Sequence, residues 1–527
     1  MSPRRLRAPA GDGGLLAEPP LGRARELAAT NRSLLDAWND DIQGLPASTL
    51  RREARAAVLR VAGVDPGAVD PDSPWIVTGH QPELFHPGVW VKNFATGSLA
   101  RDLGGFGLHL VVDNDLPKAA AIRVPGIDPR TARLRLVSLP FDSAAPEVPY
   151  EDWTIADEPL FQSFCRRVLE RLGGIVEAPL IEQFWPRVLA VQSRPIRPGP
   201  RFAHARAEIE RRWGLHLPQA SLGGVCDSPP FLRYAIHLLA DAERFRAIHN
   251  DALSDHRRLN HIRSKNHPVP ELGEQEGWVE TPFWTWTRAE PRRRPLMARR
   301  DRGTLALRPA GRPPFVAGLP LHVGRSADQA IEQLSARIAE GLRIRTRALT
   351  TTMFARLFLG DLFVHGIGGA KYDELGDVIL SRFFHLAPPA YLVLSQTVWL
   401  GLPDFPGSEQ ALRAARALAR DLRFNPERHL HPDQETELAN CIERKHQLIQ
   451  QVGANHRERV ARWRALRACN EEMERGVAQA LAEVEDRITR LAVETEWNRV
   501  AHHRDLSFVL HRPDRLLSAF ASAGIWP

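Results

Sequence analysis

Between Trp75 and Lys118 the chain places His80, His86, Lys92, Asp113 and Asp115 at the edges of short apolar runs. Imidazoles and carboxylates held close together can pass protons near neutral pH, and a lysine can hold an anion. Gly79 and Gly88 stand beside the two histidines, where a missing side chain lets a ligand approach the backbone. Gln81 adds an amide that can both donate and accept.

The elements that must position these groups are legible around them. Trp75, Ile76 and Val77 read as a strand that runs into the turn Thr78-Gly79-His80-Gln81. Val89, Phe94, Leu99 and Leu103 then repeat at helical spacing, and Gly104-Gly105 stops them. Leu108 to Val112 form a second strand that ends in Asp113-Asn114-Asp115. A strand–loop–helix–strand unit of this length suits a right-handed parallel crossover. Ligands of such sheets bind outside the carboxyl ends of the strands, where both polar clusters fall. The plainer alternative is a tight turn with two solvated histidines.

A second glycine-rich stretch, His365-Gly366-Ile367-Gly368-Gly369-Ala370-Lys371-Tyr372, follows the apolar run Met353–Val364. Gly368 and Gly369 open a helix whose amides, with Lys371 and Tyr372 nearby, could hold phosphate or carboxylate. A purely structural turn fits the same residues equally well. Ser221–Pro230 resembles a third strand-end loop; its Cys226 invites a nucleophile reading, though a packed thiol is the better expectation. Trp284 and Trp286 alternate with threonines as a strand, with Arg299–Leu307 as its expected partner.

The turn Thr78-Gly79-His80-Gln81, the Leu84-Phe85 pair, the helix carrying Lys92 and the acid-ended second strand resemble the bacillithiol biosynthesis cysteine-adding enzymes. The resemblance extends to His365–Leu375 and to the helical C-terminal region. In that family the turn reads TGQQ and the second strand ends in an EDHD-type sequence. Here His80 replaces a glutamine, and Asp113-Asn114-Asp115 carries no histidine. The resemblance implies a ligase- or transferase-like enzyme that joins a small amino or thiol nucleophile, cysteine first among them, to a sugar-containing acceptor. His80 would then act as general acid or base, Asp113 and Asp115 would orient the nucleophile, and Lys371 would hold an anion. Two alternatives stand beside it: a nucleotide-using transferase with ADP or ATP on the glycine loops, and a non-catalytic ligand-binding protein.

Length and composition bound these readings. A chain of 527 residues is too long for one ordinary core. Hydrophobic residues make up 43% and charged ones 25%, as in globular proteins. No apolar run reaches membrane-spanning length, and the basic start MSPRRLRAPAGDGG lacks the apolar core of a secretory signal. Four cysteines without paired spacing point to reduced thiols and a cytoplasmic protein. The net charge of +7 comes mostly from arginines spread along the chain; a basic surface could favour acidic substrates or nucleic acid, the charge alone decides nothing, and nucleic acid is not the expected partner.

The expected architecture is α/β: a Rossmann-like parallel core in two parts, 63–150 and 310–405. Residues 1–62 form a tail, disordered to about residue 20, and a helical lead-in. A helical and mixed insertion occupies 151–309, and a helical coiled-coil region 406–527. In the last region the apolar series from Val460 to Leu491 predicts one long helix, paired across Gly453 with the preceding one and serving a homodimer.

Overall fold

Trp75, Ile76 and Val77 are almost completely buried because the strand they form is covered on both faces, as a central parallel strand must be. The computed structural model describes residues 6–264, 266–321 and 327–527. In chain order the strands are β1 (Leu15–Glu18), β2 (Trp75–His80), β3 (Phe106–Val111), β4 (Ala121–Ile127), β5 (Leu134–Pro140) and β6 (Gln219–Ser221). There follow β7 (Glu274–Gln275), β8 (Trp278–Thr287), β9 (Glu290–Asp301), β10 (Thr304–Pro309) and β11 (Val316–Pro320). The last three are β12 (Leu342–Thr346), β13 (Leu362–His365) and β14 (Tyr391–Gln396).

The chain divides into two units. The first comprises Met1–Val124, Ser138–Leu400 and Arg504–Pro527. Its main sheet has the order β1-β14-β13-β2-β3-β6, with β1 antiparallel to β14 and the other neighbours parallel. From β2 the chain steps outward through β3 to β6, then returns to the other side of β2 and continues through β13 to β14. The order therefore reverses between β2 and β13, and a crevice at that point is where open parallel sheets hold ligands. The edge strand β1 falls in the stretch read as disordered. It forms because the rim of β14 offers unpaired backbone groups; residues 1–5 lie outside the described residues.

Two helices anchor this sheet. Helix Pro87–Asp102 packs on β2, β3 and β14, with Pro87 in its first turn and His86 as its cap, the ring Nδ1 accepting from the Gly88 amide. Helix Ala47–Val61 carries Arg51 and Arg55, both of which donate to the buried Asp361 carboxylate. Asp361 also accepts from the Trp75 amide at 2.7 Å, so one carboxylate pins the start of β2 beside that of β13. Two arginines on one buried acid offset the cost of removing all three charges from water.

A second, antiparallel sheet has the order β11-β10-β9-β8-β12, with β7 on β8. It takes β11 and β12 out of the stretch expected to continue the core, so the parallel sheet resumes only at β13. β9 lies between the tryptophan strand β8 and β10; the stretch Arg299–Leu307, expected to pair with β8, is instead the end of β9, a tight turn and the start of β10, which pairs with β9. β4 and β5 form a two-stranded sheet.

The second unit, Pro125–Val137 with Gly401–His503, is largely helical. Helix Ser408–Phe424 packs along Ala478–Ala501, and Ala439–Gln450 packs on His456–Glu474. Leu422, Leu430, Met473, Val477 and Leu481 fill its core. The series from Val460 to Leu491 does not make one helix: it breaks at Arg475–Val477. Gly476 is the cause we assign, since glycine costs about 1 kcal/mol inside a helix. Among the described residues no helix is long and apolar enough to cross a membrane.

Candidate functional site

The reversal point between β2 and β13 is lined by residues from both strand ends. Lys92, one turn into helix Pro87–Asp102, turns its ammonium to the Gly79 carbonyl at 3.3 Å. The same nitrogen lies 3.9 Å from where a side chain on Gly366 would begin, so it spans the ends of β2 and β13. Burial, and then the nearby Arg206 guanidinium, lower its pKa to about 7. Lys92 is thus a lysine that titrates near neutrality with a carbonyl, not a carboxylate, as its hydrogen-bond partner.

Beside it, β13 ends in His365. Its Nε2 meets the Asp373 carboxylate at 2.7 Å, and Asp373 also accepts from Arg356 at 2.9 Å and from the Thr352 hydroxyl. Burial raises the Asp373 carboxyl, but His365, Arg356 and Thr352 together bring it down to about 2. Nδ1 is the other polar edge of this buried ring, and Gly369 packs against it: a Cβ there would lie 2.6 Å from Nδ1, so no side chain fits at that position. An imidazole oriented by a carboxylate is suited to taking and returning a proton.

His80 occupies a different setting. It is buried, its Nε2 lies 3.0 Å from Asn93 Oδ1, and its Nδ1 lies 3.2 Å from the Gln81 carbonyl. Its ring packs against His109 at 4.2 Å and Phe85 at 4.5 Å. Burial, then Lys92 and Arg206, hold its pKa well below the ordinary value, so the ring is neutral. The partnership expected between His80 and Asp113 or Asp115 does not form: the ring lies against Asn93 and is enclosed by Phe85 and His109, and Gln81 takes the place at Asp115. Glu210 closes this buried cluster by accepting from Trp90 and Asn93 at 2.6 and 2.7 Å.

The two acids part company. Asp113 is buried and accepts from the Gly223 amide at 2.8 Å, capping the short helix Leu222–Cys226 after β6. Burial, and next the Glu151 carboxylate, push its pKa up to about 7. Arg345 holds that Glu151 through two 2.9 Å bonds and reaches Asp227 at 2.6 Å. Asp115 is partly exposed, and it is Gln81, not His80, that reaches it, donating from Nε2 at 2.9 Å; Arg293 of β9 donates to it at 3.0 Å. Gln81 and Asp115 do join the ends of β2 and β3 as adjacent strand ends should.

Gly88 is glycine by necessity, since a Cβ would lie 2.2 Å from the Gln396 carbonyl at the end of β14. Arg504 donates to Ser395 Oγ at 3.1 Å in the same corner. Burial, then Arg504, lower the His86 pKa to about 4, consistent with a neutral cap. In the other loop Gly368 is exposed with open space around it, Lys371 is exposed, and Tyr372 is half-buried against the core. The lysine that approaches this glycine loop from inside is therefore Lys92. Cys226 is buried, and burial pushes its thiol up to about 12, as a packed cysteine requires.

His365, Asp373 and Arg293 were not singled out by sequence as site residues. A buried acid eight positions after a strand-terminal histidine was the available signal for the first two; nothing local announces Arg293. Among the described residues no cluster of three or more His, Cys, Asp or Glu side chains is arranged to hold a metal ion. No family model matches the chain, and no curated protein is similar to it.

Proposed function

We propose that this protein is a ligase-like enzyme on a Rossmann-like core, joining a small amino or thiol nucleophile to a sugar-containing acceptor, as its resemblance to the cysteine-adding enzymes implies. The observation that carries the reading is the pairing of His365 with Asp373 at the end of β13, one residue before the Gly366 that Lys92 approaches. As the amine or thiol bonds to the acceptor carbon, His365 Nδ1 takes its proton; the carbon–oxygen bond of the acceptor breaks, and that oxygen leaves as water with the proton returned by the imidazolium that Asp373 stabilises. Lys92 holds an anionic group of the substrate next to the helix Ile367–Phe383, whose first amides face the same crevice. Gln81 and Asp115 orient the incoming ammonium or hydroxyl. His80 supports this arrangement from within the core and does not touch the reacting atoms.

The test is a thermal-shift screen with cysteine and amino-sugar acceptors, followed by mass spectrometry of mixtures that stabilise the protein. The expected product has the mass of acceptor plus nucleophile less water, and His365→Gln removes it. Ligand binding without any product in the wild type would replace this reading with a binding protein.

A second reading is a nucleotide-using transferase, favoured by the open space at Gly368 in the first turn of the helix and by Lys92 close to Gly366. ADP or ATP then raises the melting temperature; Lys92→Met removes the shift, and Lys371→Ala, altering an exposed residue, leaves most of it. Either enzyme is proposed to be a homodimer through a coiled-coil contact of the helical unit, where Ile449, Val452 and Trp463 are 51, 92 and 58% exposed. Light scattering should show Val452→Glu with Trp463→Glu converting a dimer to a monomer; a monomeric parent would end that part.

A further inference from the structure

A cavity of about 220 Å³ opens in the first unit beside Asp115. Most of its wall is apolar: Phe245, Val269, Leu272, Pro282 and Leu349 line it, with the Trp284 ring of β8. An aliphatic cavity of about 150 Å³ takes up a benzene molecule, so this one has room for a ring and a short chain.

Its polar lining is concentrated on two guanidinium groups. Arg293 and Arg347 both lie over Trp284, their central carbons 5.0 and 4.1 Å from the ring centre. Their side chains are only 15 and 14% exposed. Arg293 spends Nη1 on the Asn114 carbonyl and Asp115, and Arg347 spends Nη2 on Glu280 at 2.7 Å. A guanidinium carries five N–H donors, and the remaining donors of both have no protein partner among the described residues. Arg347 Nε is buried without one. Burial lowers the pKa of both groups, the sign of cations short of solvation. His249, the remaining basic group of the lining, is neutral because burial lowers its pKa, and Thr350 spends its hydroxyl on the Pro282 carbonyl.

We propose that this cavity binds a small amphipathic carboxylate, with its anionic head on Arg293 and Arg347 and an apolar body of about one ring against Phe245, Leu272 and Leu349. Planar guanidinium groups match a carboxylate with paired donors, and the apolar wall excludes the water that would compete for it. Asp115 stands next to the head group, so an α-ammonium beside the carboxylate finds a counter-charge there. The carboxylate can therefore belong to a simple acid or to an apolar amino acid. The cavity shares Asp115 with the proposed ligation site and would seat one of its reactants there; binding is read without turnover, so the failure of one reading is distinguishable from the failure of the other.

Isothermal titration of the full chain tests it with 3-phenylpropionate, L-phenylalanine, 3-phenylpropanamide and acetate. Saturable binding of the first two is expected, with the amide at least tenfold weaker and acetate silent at the same concentrations. Tighter binding of L-phenylalanine identifies the amino acid as the ligand class, and tighter binding of phenylpropionate the simple acid. Arg293→Met should weaken the acid at least tenfold. Ala348→Phe, at an exposed position of the lining where the core is untouched, should block it. Equal affinities for acid and amide, an unaffected Ala348→Phe variant, or no binding of either carboxylate would overturn the proposal.

Discussion

His80 and His365 end neighbouring parallel strands, yet they are built for opposite purposes. His80 is enclosed by Asn93, a backbone carbonyl and two aromatic rings, and burial keeps it neutral. His365 meets a carboxylate that is itself held by Arg356 and Thr352. The strand brings either imidazole to the crevice end of the sheet. What that imidazole can do is set by the partner that a helix supplies: an amide from helix Pro87–Asp102 in one case, an acid from helix Ile367–Phe383 in the other.

The largest expected effect tests that contrast directly. In a turnover assay built on the product sought above, His365→Gln should lower the rate by about 10²–10⁴-fold, the span of general acid–base catalysis. His80→Gln should lower it less than about tenfold, because glutamine can still donate to Asn93 Oδ1. The reverse order would make His80 the base and break the comparison.

Next in size is a stability effect. Asp373→Asn leaves His365 buried without its carboxylate, while Arg356 keeps its 2.6 Å bond to Asp377, and should cost about 3 kcal/mol in urea unfolding. Because the folded-state pKa of Asp373 is depressed to about 2, its stabilisation is present above the ordinary carboxylate range and is lost as pH falls through about 2. His80→Gln should cost about 1 kcal/mol, one neutral hydrogen bond. Equal losses would mean that the Asp373 pair is no more than a packing feature.

Lys92 sharpens the picture from the anion side. Its pKa near 7 means that it is charged below that value and neutral above it. Nucleotide or phosphate affinity should therefore fall as pH rises through about 7, and Lys92→Met should weaken it about tenfold at pH 6. A pH-independent affinity would remove Lys92 from the site.

The smallest expected effect is one of slope. Asp113, raised to about 7, is ionised in the unfolded chain before it is ionised in the folded one. Stability is therefore lost as pH rises from the ordinary carboxylate range to about 7, and Asp113→Asn should flatten that part of the melting-temperature profile. An unchanged slope would show that Asp113 does not hold its proton in the folded chain.

Local pattern carried a good part of this. The apolar run at Trp75, the helical spacing after Val89 and the second run at Leu108 are short-range signals, and each became the element expected of it. The polar turn after β2 and the acids after β3 follow from where apolar runs stop, so Gln81 and Asp115 could be foreseen at adjacent strand ends. The long helix expected from Val460 failed because apolar periodicity does not register a break at Gly476 when tertiary packing can use either side of it.

By itself, then, the sequence determined the local elements and which polar residues leave the strand ends, because both follow from side-chain periodicity and turn chemistry within a few residues. Only the tertiary structure decided that β13 lies against β2, that Arg293 arrives at Asp115 from a second sheet, and that one strand-end histidine receives an acid while the other receives an amide. Those outcomes depend on contacts between residues up to hundreds of positions apart, and on burial that shifts the charge state of groups such as Lys92 and Asp113. Neither is written in any local stretch of the chain.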